Sequence, residues 1–315
     1  MSRHRAFVPF AFVPLLLISL PAAHARPRHA NERTGKLVPA FAELVKARKR
    51  GDRSALGRLG DRIGPARLAQ AIGGSDARVA EAALAAAPLA RGGILLVGAI
   101  ADQLAASDPA RAAAAAAALG ALLDGATPTA LEDWDVPPDL VARACGGLHA
   151  LAARKEATPP ARLAALDAIL EAAPSCGSYG DLAALARDPA GEIRRAAALV
   201  AAAGPERAAV LPGAIADADR SVSAAAAAAE CRVEARAGRG GKGKEQPPTA
   251  PAVAIARTMA AAPSTPLADA VEMLDCLAAA GTPADRALLD ELRRGPPSPV
   301  RDRAVELGAL AKGHE

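Results

Sequence analysis

The stretch Asp188-Pro189-Ala190-Gly191-Glu192-Ile193-Arg194-Arg195-Ala196-Ala197-Ala198 contains a turn followed by the start of an alanine-rich helix. The side chain of Asp188 can accept a hydrogen bond from a free amide of that helix, and Pro189 suits its first turn. Alanine has the best intrinsic helix propensity, and small side chains let two helices approach closely. The stretch therefore predicts a capped helix that packs tightly against a neighbour.

The same pattern occurs at four other places in the chain. In each, leucine or isoleucine precedes a turn with Asp or Ser, and an arginine and alanines follow, at 75–84, 108–118, 217–229 and 297–305. The anchor positions 79, 110, 193, 222 and 300 are separated by 31, 83, 29 and 78 residues. The short intervals fit one helix pair and the long ones fit about two, which predicts further units near 139–173 and 252–280. One pair cannot bury its apolar face alone, whereas stacked pairs bury a continuous core.

The pattern resembles the HEAT repeat, including the HEAT-like version of phycobilisome lyases. Asp188-Pro189 with Ile193-Arg194, and Ser298-Pro299-Val300-Arg301, carry the resemblance best, and it covers about 50–312. It implies an all-α chain folded as an α-solenoid of stacked antiparallel helix pairs. Period-2 strand patterns are absent from the sequence. A non-repeating helical bundle is the alternative.

The amino-acid composition argues against several classes of function. Alanine makes up roughly 28% of the 315 residues and aromatic residues only 2%, so the aromatic platforms of sugar clefts and single-stranded nucleic-acid grooves are missing. The net charge is +4, and removal of residues 1–25, which contain two arginines and no acid, leaves +2. Such a balance gives little attraction to phosphate backbones, and no nucleic-acid partner is expected.

The amino terminus has the three parts of a secretory signal peptide. Arg3 and Arg5 precede an apolar run that ends near Leu20, and Ala23-His24-Ala25 forms a small-x-small cleavage pattern. Cleavage is expected between Ala25 and Arg26, with an uncleaved membrane anchor as the alternative. The mature protein would then have no membrane span and would lie in the periplasm or outside the cell.

Domain boundaries follow from two interruptions of the helical pattern. The sequence predicts a signal peptide at 1–25, a flexible mature amino terminus at 26–35, a helical array at 36–236, a Gly/Pro/basic linker at 237–251 and a second array at 252–315. An exposed acidic loop is predicted at 127–138.

Residues 238–244 match glycine-rich phosphate-binding motifs, but those motifs need a preceding strand and a following helix. Here an alanine-rich helix precedes the stretch and Pro247-Pro248 follows it. The stretch is therefore interpreted as part of the linker and not as a nucleotide site.

The four cysteines are Cys145, Cys176, Cys231 and Cys276. An even number in an exported protein predicts disulfides, and four cysteines allow three connectivities. Cys231–Cys276 is favoured because both lie about ten residues into helices that one short helix separates. Cys145–Cys176 then follows by exclusion. Four buried free thiols are the alternative.

Few residues are candidates for chemistry. His29, His149 and His314 are too far apart in sequence for a helical metal site, so neither a metal nor a catalytic residue is assigned, and no cofactor is expected. Trp134 lies among acids and prolines. It is either an exposed binding anchor, since Trp is enriched at interface hot spots, or a cover for an open end of the core.

The resemblance and the N-terminal pattern together predict a non-enzymatic scaffold of the bacterial cell envelope that binds a protein partner along the solenoid surface. A HEAT-like lyase or isomerase, or a chromophore-handling protein, is the alternative from the same family. A structural envelope component is a further one.

Overall fold

The computed structural model describes residues 38–176, 182–240, 249–262, 265, 267–280 and 282–312. This part of the chain is all-helical and contains no strand. The predicted signal peptide with its cleavage between Ala25 and Arg26, and the segment 26–35, lie outside the described residues.

The helices are numbered in chain order. Those of the first half are α1 (Val38–Lys49), α2 (Arg53–Ile63), α3 (Pro65–Ile72), α4 (Ala77–Ala86), α5 (Val97–Ala101), α6 (Pro109–Leu123), α7 (Pro128–Asp133), α8 (Pro138–Ala153) and α9 (Pro159–Glu171). Those of the second half are α10 (Ala173–Cys176), α11 (Leu182–Leu185), α12 (Gly191–Ala202), α13 (Arg207–Ile215), α14 (Arg220–Gly240), α15 (Ala250–Ala261), α16 (Leu267–Ala280), α17 (Pro283–Arg294) and α18 (Pro299–Lys312). Short 3₁₀ turns occur at Ala87–Leu89, Gly93–Leu96 and Asp102–Ala105.

The five repeated turns each start a helix as the sequence predicts. At four of them the Asp or Ser side chain accepts a hydrogen bond from a backbone amide in the first turn of the next helix, which satisfies one of its free donors. At the fifth, Asp188 accepts the amide of Ala190, which precedes α12, so α12 has no side-chain cap and the predicted capping by Asp188 is wrong. The acceptor–donor pairs are Asp76–Val79 at 3.2 Å, Asp108–Ala110 at 3.0 Å, Asp188–Ala190 at 3.0 Å, Asp219–Ser221 at 2.9 Å and Ser298–Arg301 at 3.2 Å.

Seven helices pack side by side in one continuous row, here called the central row. In it each helix contacts the next in the order α4, α6, α9, α12, α14, α16, α18. Each central helix also packs on the flanking helix that precedes it, giving the pairs α3/α4, α5/α6, α8/α9, α11/α12, α13/α14, α15/α16 and α17/α18. The intervals 139–173 and 252–280, where the sequence shows no clear repeat, hold the pairs α8/α9 and α15/α16.

Small residues bring the central helices very close together. The alanine run of α6 is buried at Ala112, Ala115, Ala116 and Ala118. At Gly120 of the same helix, an added Cβ atom would lie 2.9 Å from the Cα atom of Ala168 in α9. Backbone at this distance leaves no room for a methyl group, so glycine is required by the packing and not by its backbone angles.

Arginine–aspartate pairs connect successive units. Arg162 of α9 donates from Nε to the carbonyl of Ala152 in α8 at 2.8 Å, and from Nη2 to Asp188, before α12, at 2.6 Å. Arg194 of α12 contacts both carboxylate oxygens of Asp217, before α14, at 2.8 and 3.1 Å. Each aspartate lies in the turn that starts the next central helix, so the pairs fix the spacing between neighbouring units.

The segment predicted as a linker, 237–251, is partly helical. Helix α14 continues to Gly240 and α15 begins at Ala250, while 241–248 lie outside the described residues. The buried core continues across this segment, because Ala226 of α14, Ala256 of α15 and Leu277 of α16 belong to one cluster. The buried carboxylate of Glu230 also accepts the Thr249 amide at 2.7 Å and so fixes the start of α15.

The prediction of an exposed loop over 127–138 is wrong in part. Residues Pro128–Asp133 form α7, whose first turn is capped by Thr127, with its Oγ1 accepting the Ala130 amide at 3.2 Å. Burial of Leu131 anchors this helix to the core. The acids of the segment are exposed as expected. In the described part of the chain, no helix has both the length and the apolarity that crossing a membrane requires.

We expect Gly120→Ala and Gly146→Ala to change stability in opposite directions. The first forces a methyl group against the backbone of α9 and should destabilise by about 1–3 kcal/mol. An added Cβ at Gly146 of α8 meets nothing within 4 Å, so the second should stabilise by about 0.5–1 kcal/mol through helix propensity. Urea unfolding of both variants measures this. A neutral or stabilising Gly120→Ala would contradict the close packing of α6 on α9.

The Arg162–Asp188 pair should make stability depend on pH. Burial acts to raise the pKa of Asp188, but hydrogen bonds from Arg162 and the Ala190 amide outweigh it, and the pKa lies below its ordinary value of 3.8. A lowered pKa contributes stability that is present above the ordinary value and is lost as pH falls through the folded-state pKa.

Arg162→Ala should therefore destabilise at neutral pH and lose less stability on acidification than the wild type. Both side chains are 8% exposed, and breaking a buried pair costs about 3–5 kcal/mol. The matched control is Arg143→Ala, whose pair with Asp102 is exposed and should be worth about 1 kcal/mol or less. Urea midpoints between pH 3 and 7 test this; equal pH dependence in wild type and Arg162→Ala would contradict it.

Candidate binding groove

A cavity of about 390 Å³ opens between α7 and α8 and is here called the α7–α8 groove. Its volume lies in the range of about 300–1,000 Å³ that is typical of ligand sites. Leu131 and Val136 line it from the side of α7, and Val141, Cys145 and His149 line it from α8.

One face of α8 forms the long wall of the groove. Val141, Cys145 and His149 follow each other at intervals of four residues, which places them on one face of a helix. Ala142 and Gly146 are also four residues apart, and their small size leaves space in the groove. Val141 and Cys145 are buried, whereas His149 is half-buried.

The end of the groove is held by a disulfide. Cys145 of α8 is bonded to Cys176 of α10, with the Cα atoms 5.5 Å apart. Next to it, the Ser175 hydroxyl donates a hydrogen bond to the carbonyl of Ala126, just before α7. These two connections, 31 and 49 residues apart in sequence, fix α10 against both walls.

Helix α7 ends in a Schellman motif that presents Trp134. The Val136 amide donates to the Leu131 carbonyl and the Asp135 amide to the Glu132 carbonyl, both at 3.0 Å. Asp135 has a positive φ of 53°, a conformation in which glycine is usual. Trp134 lies at the helix end and is 49% exposed, so it does not cover the end of the core.

The groove is bordered by negative charge. Residues 124–139 contain the five acids Asp124, Glu132, Asp133, Asp135 and Asp139 and no Lys or Arg. Burial raises the pKa of Glu171, at the end of α9, and repulsion from Asp124 and Asp167 raises it further. The carboxylates of Asp124, Asp167 and Glu171 are therefore close to one another at this end of α6 and α9.

The other predicted disulfide connects two helices of the central row. Cys231 of α14 is bonded to Cys276 of α16 with their Cα atoms 4.9 Å apart, and both side chains are buried. These two pairings are the ones that the sequence favours. The described residues contain no free cysteine.

Most of the remaining predicted features lie outside the part of the chain that the structure describes. His29, His314 and most of the glycine-rich stretch 238–244 lie outside the described residues, and the first three residues of that stretch end helix α14. Among the described residues, no group of three or more His, Cys, Asp and Glu side chains is placed to hold a metal ion.

Sequence reasoning identified Trp134 and the cysteines but missed the groove between them. Leu131, Val136 and Val141 are ordinary apolar residues, and nothing in their spacing separates groove wall from core. The local signal that could have located α7 is Thr127-Pro128, a cap followed by proline at the first helical position.

Comparison with known proteins provides no family for this chain. No protein-family model matches it, and no curated protein is significantly similar to it.

We expect the two disulfides to be reduced in a fixed order. Cys176 is only half-buried and its disulfide lines the groove, whereas Cys231 and Cys276 are 2% and 0% exposed. Thiol–disulfide exchange requires access to a sulfur atom, so limiting dithiothreitol should open Cys145–Cys176 first. Alkylation followed by peptide mass spectrometry measures the order. Faster alkylation of Cys231 and Cys276 would contradict the burial described above.

Proposed function

We propose that this protein is an exported, non-enzymatic α-solenoid of HEAT-like helix pairs that binds a protein partner in the cell envelope. The observation that carries the proposal is the continuous row of packed central helices, each paired with the flanking helix that precedes it. Stacked helix pairs of this kind create extended surfaces that suit protein binding. The step from fold to role is one of analogy.

Two further observations support export and binding. Two disulfides fit a secreted or periplasmic protein, and they agree with the signal-peptide pattern of residues 1–25. The exposed Trp134 beside an apolar groove is the kind of residue that anchors protein interfaces.

Photo-cross-linking in the native host tests this function. A photoreactive phenylalanine analogue is placed, one position at a time, at four exposed apolar residues, Leu95, Trp134, Leu267 and Val305. We expect irradiation to link at least one position to a discrete protein, and the linked species to appear in the envelope fraction. Intact mass of the purified chain should begin at Arg26 and rise by about 4 Da on reduction of the two disulfides.

Two outcomes would overturn the proposal. The absence of a cross-linked protein at all four positions would contradict the scaffold function. A full-length mass with four free thiols would place the chain in a reducing compartment. A coloured small-molecule adduct in place of a protein would favour the chromophore-handling alternative.

A further inference from the structure

We propose that the α7–α8 groove binds an aliphatic side chain presented by a basic segment of the partner protein. This inference rests on the proposed function, since it names the site and the chemistry of the partner. It depends on the shape of the groove, the charge around it and the position of Trp134.

The lining selects an aliphatic group. Leu131, Val136 and Val141 present carbon to the cavity, and the Cys145–Cys176 disulfide closes its end with sulfur. Of the described residues that line the groove, none is Lys or Arg, and Glu132 is its one carboxylate. Burial of apolar surface favours binding in such a cavity, and its volume accommodates more than one branched side chain.

The acids beside the groove favour positive charge next to that aliphatic group. Glu132, Asp133 and Asp135 follow the α7 side and Asp139 starts α8, and all four are exposed. Exposed charges of one sign steer a partner of the opposite sign and suppress one of the same sign. Only Glu132 of these four acids lines the cavity, so the other three are available to further positive charges, which fits a peptide segment better than a small molecule with one charge.

Trp134 stands at the same border and adds a surface that suits arginine. Arginine side chains are attracted to the face of an indole ring, and this ring is half exposed among the acids. Trp134 is also the single tryptophan of the chain. Its fluorescence therefore reports on this site without a label.

Gly146 lines the groove without filling it, so a larger side chain at this position could close the groove. An added Cβ at this position meets no atom within 4 Å, although the residue lines the cavity. A leucine there would fill the groove without disturbing the packing of α8. Gly213 of α13 is a matched control, because an added Cβ there also meets nothing within 4 Å and it lies on another helix.

The test uses three synthetic hexapeptides titrated into the full mature chain at low and high salt. The first has two leucines flanked on each side by two arginines, the second replaces the arginines by glutamates, and the third replaces the leucines by serines. We expect the first peptide to bind best, to shift the emission of Trp134, and to weaken as salt screens the charges. Stronger binding of the second or third peptide would overturn the proposal.

Variants assign the binding to the groove. Gly146→Leu should weaken the first peptide at least tenfold, and Gly213→Leu should leave its affinity within twofold. The triple variant Glu132→Gln, Asp133→Asn, Asp135→Asn should weaken it by about tenfold at low salt, given the modest worth of each exposed charge. Circular dichroism and thermal melting confirm that each variant is folded. Equal binding by Gly146→Leu and Gly213→Leu would overturn the proposal.

Two results separate failure of this inference from failure of the proposed function. If a protein is cross-linked at a position other than Trp134, and Gly146→Leu does not change that cross-linking, the groove proposal is contradicted. The proposed scaffold function is then retained. Light scattering tests self-association, since a cavity between α1 and α2 is lined by four basic residues, Lys46, Arg50, Arg58 and Arg62, together with the acids Glu43 and Asp52. A dimer that Gly146→Leu dissociates, with no peptide bound, would assign the groove to a second copy.

Discussion

The close approach of small-residue helices in the central row is the constraint on which this structure depends. At Gly120 and Ala168 the two helices leave no space for one methyl group. With almost no aromatic side chains, the core cannot gain large buried areas from single residues. It gains them instead from many short contacts between alanine faces, each weak alone and substantial in sum. Such a core tolerates little change in volume, since neither helix can move away without losing its other neighbour.

Polar interactions and a disulfide fix the helix positions that packing of the alanine-rich core does not fix alone. Side-chain caps fix the first turns of α4, α6, α14 and α18. Arginine–aspartate pairs connect α9 to the turn before α12, and α12 to the turn before α14. In the turn before α12, one carboxylate oxygen of Asp188 accepts the Ala190 amide and the other contacts Arg162. The disulfide between α14 and α16 has a related effect, as it joins two central helices that the segment 241–248 separates in sequence. Disulfides of this kind stabilise mainly by restricting the unfolded chain, by roughly 2–4 kcal/mol each.

The groove arises where the chain departs from the simple helix pair. Between α6 and α9 the chain inserts α7 before the flanking helix α8, and α10 follows α9. The inserted helix α7 is not part of the central row, its Leu131 is buried, and a cavity lies between it and α8. Its Schellman end carries Asp135 where glycine is usual, and Trp134 and the acids are thereby presented at the surface. An irregularity of the array thus supplies the one apolar recess with a charged border described above.

The sequence alone determined what depends on near neighbours along the chain. Helix propensity, capping turns and proline positions act within a few residues, so the helical class, the turns before five of the helices and the side-chain caps of four of those helices could be predicted from it. The favoured cysteine pairings were also within reach, because helix positions translate into heights along neighbouring helices. Only the tertiary structure decided that α14 extends to Gly240, that Gly120 must be glycine, and that Leu131, Val141 and Cys176 meet around one cavity. These features depend on distances between residues far apart in the chain, and no local pattern encodes how closely two helices finally pack.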